Sequence, residues 1–215
     1  VQERRRVVDS LTQGRLGYLH IRGMGELSLA RFEAELFSAG LGKEGLVVDV
    51  RYNSGGWTTD YILTMLQVQR HATTFPRGGG AGYPQSRLPY YVWFRPIIVL
   101  CNEYSFSNAE IFCHAIQTLG RAKLVGVPTP GGVISTDSYQ LLDGSRIRVP
   151  LRGWYIGEVK ERDPKRCMEG NGAVPEVIVT SIPGEMEKGE DQQLISAVEK
   201  LLSDLNIGKE SSIPK

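Results

Sequence analysis

Residues 96–101 (PIIVLC) and 102–110 (NEYSFSNAE) form the stretch that decides the fold. The first six residues are an unbroken apolar run, which is typical of a strand buried on both faces of a sheet. Beyond Ala109 the apolar positions recur at helical spacing until Gly120, where the pattern stops. The stretch therefore predicts a buried strand that turns directly into a helix, with serines at the junction.

A serine at such a junction has two uses. Ser105 or Ser107 can cap the helix, with Asn108 or Glu110 assisting, and capping is the commonest role of serines in this position. The other use is chemical, because the unpaired N–H groups of the first helical turn can bind an oxyanion. Taken alone, this stretch favours the cap.

Strand and helix patterns alternate over most of the chain. Apolar runs predict strands at residues 16–21, 45–50 and 124–127, and apolar positions three or four apart predict helices at 1–12, 27–37, 61–68 and 194–205. Alternation with short connections predicts an α/β domain with a largely parallel sheet. Asp143-Gly144, between residues 139–142 and 146–149, predicts a β-hairpin. We expect a helical extension at 1–14, one domain at 15–206 and a disordered tail at 207–215.

The composition excludes several classes of function. The net charge of +1 and the scattered basic residues do not form the stripe that binds nucleic acid. Three cysteines without CxxC spacing indicate neither a disulfide framework nor a zinc site, and no metal or cofactor is expected. No apolar run approaches the roughly 20 residues that span a bilayer. A chain of 215 residues can bury a substantial core without such supports.

Paired glycines follow two of the predicted strands. Gly55-Gly56 comes after the strand at 45–50, and Gly131-Gly132 comes after the strand at 124–127. The carboxyl edge of a parallel sheet is where ligands bind in open α/β folds. Taken alone, an ordinary tight turn is the better explanation of Gly55-Gly56. Asp49 and Arg51 point to the same side of their strand, and a local ion pair is sufficient to explain them.

Three segments together resemble the serine peptidases of the tricorn protease and C-terminal processing peptidase group. They are residues 48–56 (VDVRYNSGG), 102–110 (NEYSFSNAE) and 169–176 (EGNGAVPE). The resemblance implies the crotonase/ClpP-like β/α spiral, with residues 15–206 as the catalytic domain. It implies Ser107 as the nucleophile and the backbone N–H groups of Gly56 and Asn108 as the oxyanion hole. Glu169 falls on the glutamate that orients the catalytic histidine in the tricorn branch.

The general base is the missing part of this assignment. A serine hydroxyl needs a base to take its proton, and residues 131–137 contain no lysine of the kind that processing peptidases use. His114 is seven residues beyond Ser107 on one helix, roughly 10 Å along the axis, so it cannot reach the hydroxyl. His20 and His71 fit structural roles better than catalytic ones. The resemblance places the catalytic histidine in a segment upstream of this chain, before a PDZ domain.

The resemblance also carries expectations about substrate and assembly. Thr73 or Thr74 falls where the tricorn branch has an aspartate that receives a basic side chain, so these two are the substrate-pocket candidates. The implied substrate is a peptide or unfolded protein. The full-length protein is expected to form a homo-oligomer in the cytoplasm, with export as the alternative. A crotonase-type acyl-CoA enzyme and a non-catalytic binding domain on the same scaffold are the competing interpretations.

Overall fold

A computed structural model describes residues 1–67, 73–75, 77–78, 83–84, 92–184 and 188–211. Its helices are α1 (Gln2–Thr12), α2 (Glu26–Gly40), α3 (Thr59–Leu66), α4 (Asn108–Thr118) and α5 (Gln192–Ser211), with a short 3₁₀ helix at Pro164–Arg166. Its strands are β1 (Leu16–His20), β2 (Gly45–Asp49), β3 (Thr73–Thr74), β4 (Tyr83–Pro84), β5 (Ile97–Cys101), β6 (Leu124–Gly126), β7 (Ile134–Gln140), β8 (Arg146–Gly153) and β9 (Val177–Ile178).

Five strands form a parallel sheet in the order β1-β2-β5-β6-β9. Helices cover both faces, which is why β2 and β5 are buried along their whole length. Successive residues of β5 enter different cores. Ile97 and Val99 pack with residues of α2, α3 and α4, whereas Ile98 and Leu100 pack with residues of α1 and α5. The predicted α/β class with a largely parallel sheet is confirmed.

The register of the sheet brings two turns together. Asp49 at the end of β2 lies opposite Leu100 near the end of β5. Because the strands are parallel, the chain leaves both at the same edge of the sheet. The turn at 51–56 and the turn at 102–107 are therefore neighbours, although about fifty residues of sequence separate them.

A separate two-stranded arm is formed by β7 and β8. The strands are antiparallel, with a register shift between Ser135 and Thr136, and the tip is closed by a hydrogen bond from Leu141 N–H to the Ser145 carbonyl at 2.8 Å. Most residues of both strands are exposed. The predicted hairpin is confirmed, and its strands extend back to Ile134 and on to Gly153.

The C-terminal boundary differs from the expectation. Helix α5 continues to Ser211, so the first five residues of the predicted 207–215 tail are helical. Gly208 costs only about 1 kcal/mol relative to alanine in a helix, which is not enough to end one. Residues 212–215 lie outside the described residues. No helix within the described ranges is long and apolar enough to cross a membrane.

Candidate active site

The site is built where the turns after β2 and β5 meet. The Phe106 N–H donates to the Asn53 carbonyl at 2.8 Å, which joins the two turns. The Asn53 side chain is buried, with Nδ2 donating to the Ile21 carbonyl at 2.8 Å and Oδ1 accepting from the Gly55 N–H at 2.9 Å. One asparagine thus fixes the glycine turn against the turn that carries the two serines.

Ser107 has an unusual backbone conformation. Its φ of 57° and ψ of −116° lie in a region that residues with a Cβ rarely occupy. Such strain at a strand-to-helix turn is the geometry by which a serine nucleophile exposes its hydroxyl. Ser107 and Glu110 are arranged as a capping box at the start of α4, although the Ser107 hydroxyl oxygen makes no cap hydrogen bond of standard geometry. The structure therefore gives Ser107 the strained backbone that is typical of such turns.

Ser105 has the structural role that its position allows. It is fully buried, its hydroxyl donates to the Val50 carbonyl at 2.9 Å, and it accepts from the Asn102 N–H at 3.0 Å. This hydroxyl joins the ends of β2 and β5. The two serines of the junction are thus distinguished by their contacts.

Glu110 holds the junction together. The sequence suggested this residue only as a helper of the helix cap, and its larger role was not predicted. Its buried carboxylate accepts hydrogen bonds from the Ser107 N–H at 2.9 Å, the Gly132 N–H at 2.8 Å, the Thr129 hydroxyl at 2.7 Å and the Gly131 N–H. It therefore links the turn that carries Ser107 to the second glycine turn. The Ser-x-x-Glu spacing of a capping box was the available signal. That spacing does not reveal the partners twenty residues downstream.

Two backbone N–H groups are available beside Ser107. Within the described residues, neither the Gly56 N–H nor the Asn108 N–H donates a hydrogen bond. Gly56 is fixed on both sides, since Met24 N–H donates to the Gly55 carbonyl at 2.9 Å and Trp57 N–H donates to the Met24 carbonyl at 2.7 Å. The Asn108 side chain accepts from the Thr59 N–H at 3.0 Å. The two donors are held rigidly, as an oxyanion hole requires.

Close packing explains why both residues of the glycine pair are needed. A Cβ on Gly55 would lie 2.8 Å from the Cβ of Ser107, and a Cβ on Gly56 would lie 2.0 Å from the Met24 carbonyl oxygen. Both residues also have positive φ values, 91° and 147°. The pair is therefore required by close backbone approach and not only by an ordinary turn.

Gly56, Ser107 and Asn108 line one cleft of about 340 Å³. Its walls are completed by residues of α3, of α4 and of the arm. The charged residues that line it are Asp60 and Arg148. No histidine or lysine of the described ranges lines this cleft, so the groups seen in it supply no general base.

The described histidines are engaged elsewhere. His20 Nε2 lies at 3.0 Å from the Arg51 carbonyl oxygen, and His114 Nε2 lies at 3.1 Å from the Asn171 carbonyl oxygen, so each donates to a backbone acceptor. Burial lowers the pKa of both imidazoles and keeps them neutral near pH 7. His71 lies outside the described residues.

The remaining predicted site residues are not brought into the cleft. Glu169 is exposed, in a turn attached to the second glycine turn by a hydrogen bond from the Gly170 N–H to the Gly131 carbonyl at 2.8 Å. The preceding Met168 packs against Ile111 and Val133, which form part of the cleft wall. Thr73 and Thr74 form β3, which pairs with β4, and their side chains lie outside the described residues.

A buried ion-pair network lies behind the site. Arg51 donates to Asp49 Oδ2 at 2.8 Å and to Asp191 Oδ2 at 2.8 Å, and the Tyr18 hydroxyl donates to Asp49 Oδ2 at 2.7 Å. Burial alone would raise the pKa of Asp49, but the charge and hydrogen bonds of Arg51 bring that pKa below its ordinary value. The predicted Asp49–Arg51 pair is confirmed. Its extension to Asp191 ties the start of α5 to the end of β2.

Comparison with known proteins agrees with this architecture. The model of Peptidase family S41 matches residues 15–178. The chain is 32% identical to the tricorn protease of Thermoplasma acidophilum over 207 residues, which is 95% of this chain and 18% of that protein. It is 35% identical to tricorn protease homolog 1 of Streptomyces coelicolor over 212 residues, again 95% of this chain and 18% of the relative.

Solved structures lead to the same group. The crystal structure of the tricorn protease superposes with a TM-score of 0.78 at 29% identity, covering 94% of this chain and 19% of that one. The photosystem II D1 C-terminal processing protease superposes with a TM-score of 0.55 at 21% identity, covering 77% of this chain and 42% of that one, and supports the fold alone. The chain belongs to peptidase family S41 and spans less than a fifth of the length of these tricorn relatives.

Proposed function

We propose that this chain is the catalytic domain of a tricorn-like serine endopeptidase, with Ser107 as the nucleophile. The observation that carries the proposal is that Ser107, with its strained backbone, shares one cleft with two backbone N–H groups. Within the described residues, neither of these N–H groups donates a hydrogen bond. A cap needs neither the positive φ of Ser107 nor the close approach of the glycine pair. Some enzymes that form a tetrahedral intermediate use such a strained turn to present the nucleophile, together with preorganised N–H donors for the oxyanion.

The chemistry follows from these positions. Ser107 Oγ attacks the carbonyl carbon of a peptide bond, and its proton passes to a base. The carbonyl oxygen becomes an oxyanion, which accepts hydrogen bonds from the Gly56 and Asn108 N–H groups. Collapse of this intermediate breaks the C–N bond, the leaving amine takes the proton from the base, and an acyl ester remains on Ser107. Water then attacks the ester by the same route and releases the new carboxylate.

The base is a histidine in a segment upstream of this chain, oriented by Glu169. Two observations support this. His20 and His114 are both committed to backbone carbonyls. Glu169 is exposed, beside the wall of the cleft, where it can receive a group from outside the domain. The substrate is a peptide or unfolded protein, and the full-length protein is a homo-oligomer in which this domain is the hydrolytic part.

The two serines of the junction give a matched test in the full-length protein. Ser107→Ala should lower kcat for peptide hydrolysis by at least about 10³-fold, with a loss of stability no larger than the roughly 1–2 kcal/mol of a lost helix cap. Ser105→Ala should cost about 1–3 kcal/mol of stability, because it leaves the Asn102 N–H unpaired and removes one of the two donors to the Val50 carbonyl, which keeps the Asn53 N–H at 3.3 Å. The folded Ser105→Ala protein should still hydrolyse peptides. Undiminished hydrolysis by Ser107→Ala would refute the proposal.

A further inference from the structure

Arg148 is the one cationic residue that lines the cleft in the described part of the chain. It lies on β8, opposite Ser138 of β7, on the exposed arm. At the end where β7 begins, the arm is attached to the turn that carries Ser107. Its first strand begins two residues after Gly132, whose N–H is bound by the Glu110 carboxylate that also holds Ser107. The hydrogen bonds of Glu110 and the pairing of β7 with β8 therefore set the position of Arg148 relative to Ser107.

The guanidinium group is oriented but not neutralised. Nε and Nη2 of Arg148 donate to the Thr136 hydroxyl oxygen at 3.1 and 2.6 Å. Thr136 also lines the cleft, and it carries no charge. None of the ion pairs among the described residues involves Arg148. Asp60, the carboxylate in the same cleft, does not pair with it.

The remaining donors of Arg148 define what it can bind. A guanidinium has five N–H donors in a fixed planar fork. Thr136 occupies the edge formed by Nε and Nη2, which leaves the end formed by Nη1 and Nη2. Two parallel donors at that end match the two oxygens of a carboxylate. A neutral amide side chain offers one acceptor and no charge.

We propose that Arg148 is a specificity-determining residue that binds a carboxylate of the peptide substrate. This inference rests on the proposed peptidase function, because it assigns the ligand of the same cleft. The carboxylate comes from an acidic side chain near the scissile bond or from the free end of a short peptide. Thr136 is a positioning residue that keeps the fork directed into the cleft.

The test uses the full-length protein and pairs of peptides. Each pair is identical except for Glu or Gln at one position on either side of the cleaved bond, and each peptide is made with a free carboxylate or an amide at its end. We expect kcat/KM to favour the carboxylate form about threefold to tenfold at one position. Arg148→Gln should abolish the preference and Arg148→Lys should retain part of it. Arg146→Gln, two residues along β8 and outside the cleft lining, should leave it intact.

A binding measurement separates this inference from the peptidase proposal. Fluorescence anisotropy of the same labelled peptides with Ser107→Ala protein reports recognition without hydrolysis. A carboxylate preference that disappears in the Ser107→Ala/Arg148→Gln double variant supports the role of Arg148, even if the parent hydrolyses nothing. A preference at the chain end alone identifies the terminal carboxylate as the ligand. The preference for the carboxylate peptide over its amide partner is compared between Arg148→Gln and the parent. If this preference is the same in both proteins, in binding and in hydrolysis, the inference is overturned.

Discussion

The Glu110 carboxylate accepts a hydrogen bond from the backbone N–H of Ser107 at 2.9 Å and one from the Gly132 N–H at 2.8 Å. A single buried side chain thus connects the turn that carries Ser107 to the loop that leads into the arm. The strained conformation of Ser107 persists because this bond, the Asn53 contact and the glycine pair determine it together. The site is assembled by tertiary hydrogen bonds and not by the helix start alone.

Removing this connection should damage both stability and activity. Glu110→Ala leaves three N–H groups and one hydroxyl without their acceptor in a buried place, so we expect a loss of about 2–4 kcal/mol in the free energy of unfolding. Urea denaturation measures it. Glu103→Gln, in the exposed part of the preceding turn, is the matched control and should be neutral. An unchanged midpoint for Glu110→Ala would contradict the role assigned to the carboxylate.

The glycine pair gives a second prediction. It compares a substitution that causes a steric clash with one that causes backbone strain alone. Gly56→Ala places a methyl group 2.0 Å from the Met24 carbonyl oxygen, so the backbone that carries the Gly56 N–H must move. We expect kcat to fall about 10²–10³-fold, the usual effect of losing one donor. Gly144→Ala, at a positive φ but with nothing within 4 Å of the added group, should cost only the strain of that conformation. Equal activity of the two variants would argue against Gly56 as a donor.

The network behind the site predicts how stability depends on pH. The pKa of Asp49 is lower in the folded protein than its ordinary value of about 3.9, so the unfolded state binds the proton more tightly. The stability from Asp49 is therefore complete above about pH 4 and is lost as the pH falls through the lower folded pKa.

A substitution of Asp49 tests the direction of this pH dependence. Asp49→Asn removes a fully buried partner of Arg51 and should cost about 3–5 kcal/mol at pH 7. The difference from the parent should shrink below about pH 4, where the parent loses the same charge. Asp137→Asn, on the exposed arm, should leave the pH profile unchanged. A difference that stays constant from pH 7 to pH 2 would show that Asp49 is not the titrating group.

Substitution of each histidine tests where the base lies. His20→Gln and His114→Gln retain a side-chain donor for the backbone carbonyls that these residues contact, and we expect activity within a few-fold of the parent. His71→Gln should behave in the same way. Steady-state kcat/KM in the full-length protein measures all three. Loss of activity as large as that of Ser107→Ala in any of them would place the base within this chain.

The sequence predicted the parts of the fold that depend on local patterns. The apolar run at 96–101 correctly predicted a buried strand, and the helical spacing after Ala109 gave the position of α4 to within a residue. Ser107, Gly56 and Asn108 were predicted from a family resemblance, and the structure brings them to one cleft.

The parts that could not be predicted depend on distant contacts. The partners of Glu110 lie about twenty residues downstream, and Asp191 lies 140 residues from Arg51. Local periodicity carries no information about such pairs. Arg148 lies within the predicted 146–149 strand, but the pattern did not show that β7 continues back to Ile134, beside the cleft. The role of Glu169 stays a prediction.

Covalent labelling tests the central claim most directly. The full-length protein is treated with a fluorophosphonate, which forms a stable ester with an activated serine, and its peptides are mapped by mass spectrometry. The account predicts one adduct on Ser107, absent from the Ser107→Ala protein and present in the folded Ser105→Ala protein. An active protein that carries no adduct on Ser107, or carries it on another serine, would contradict the account.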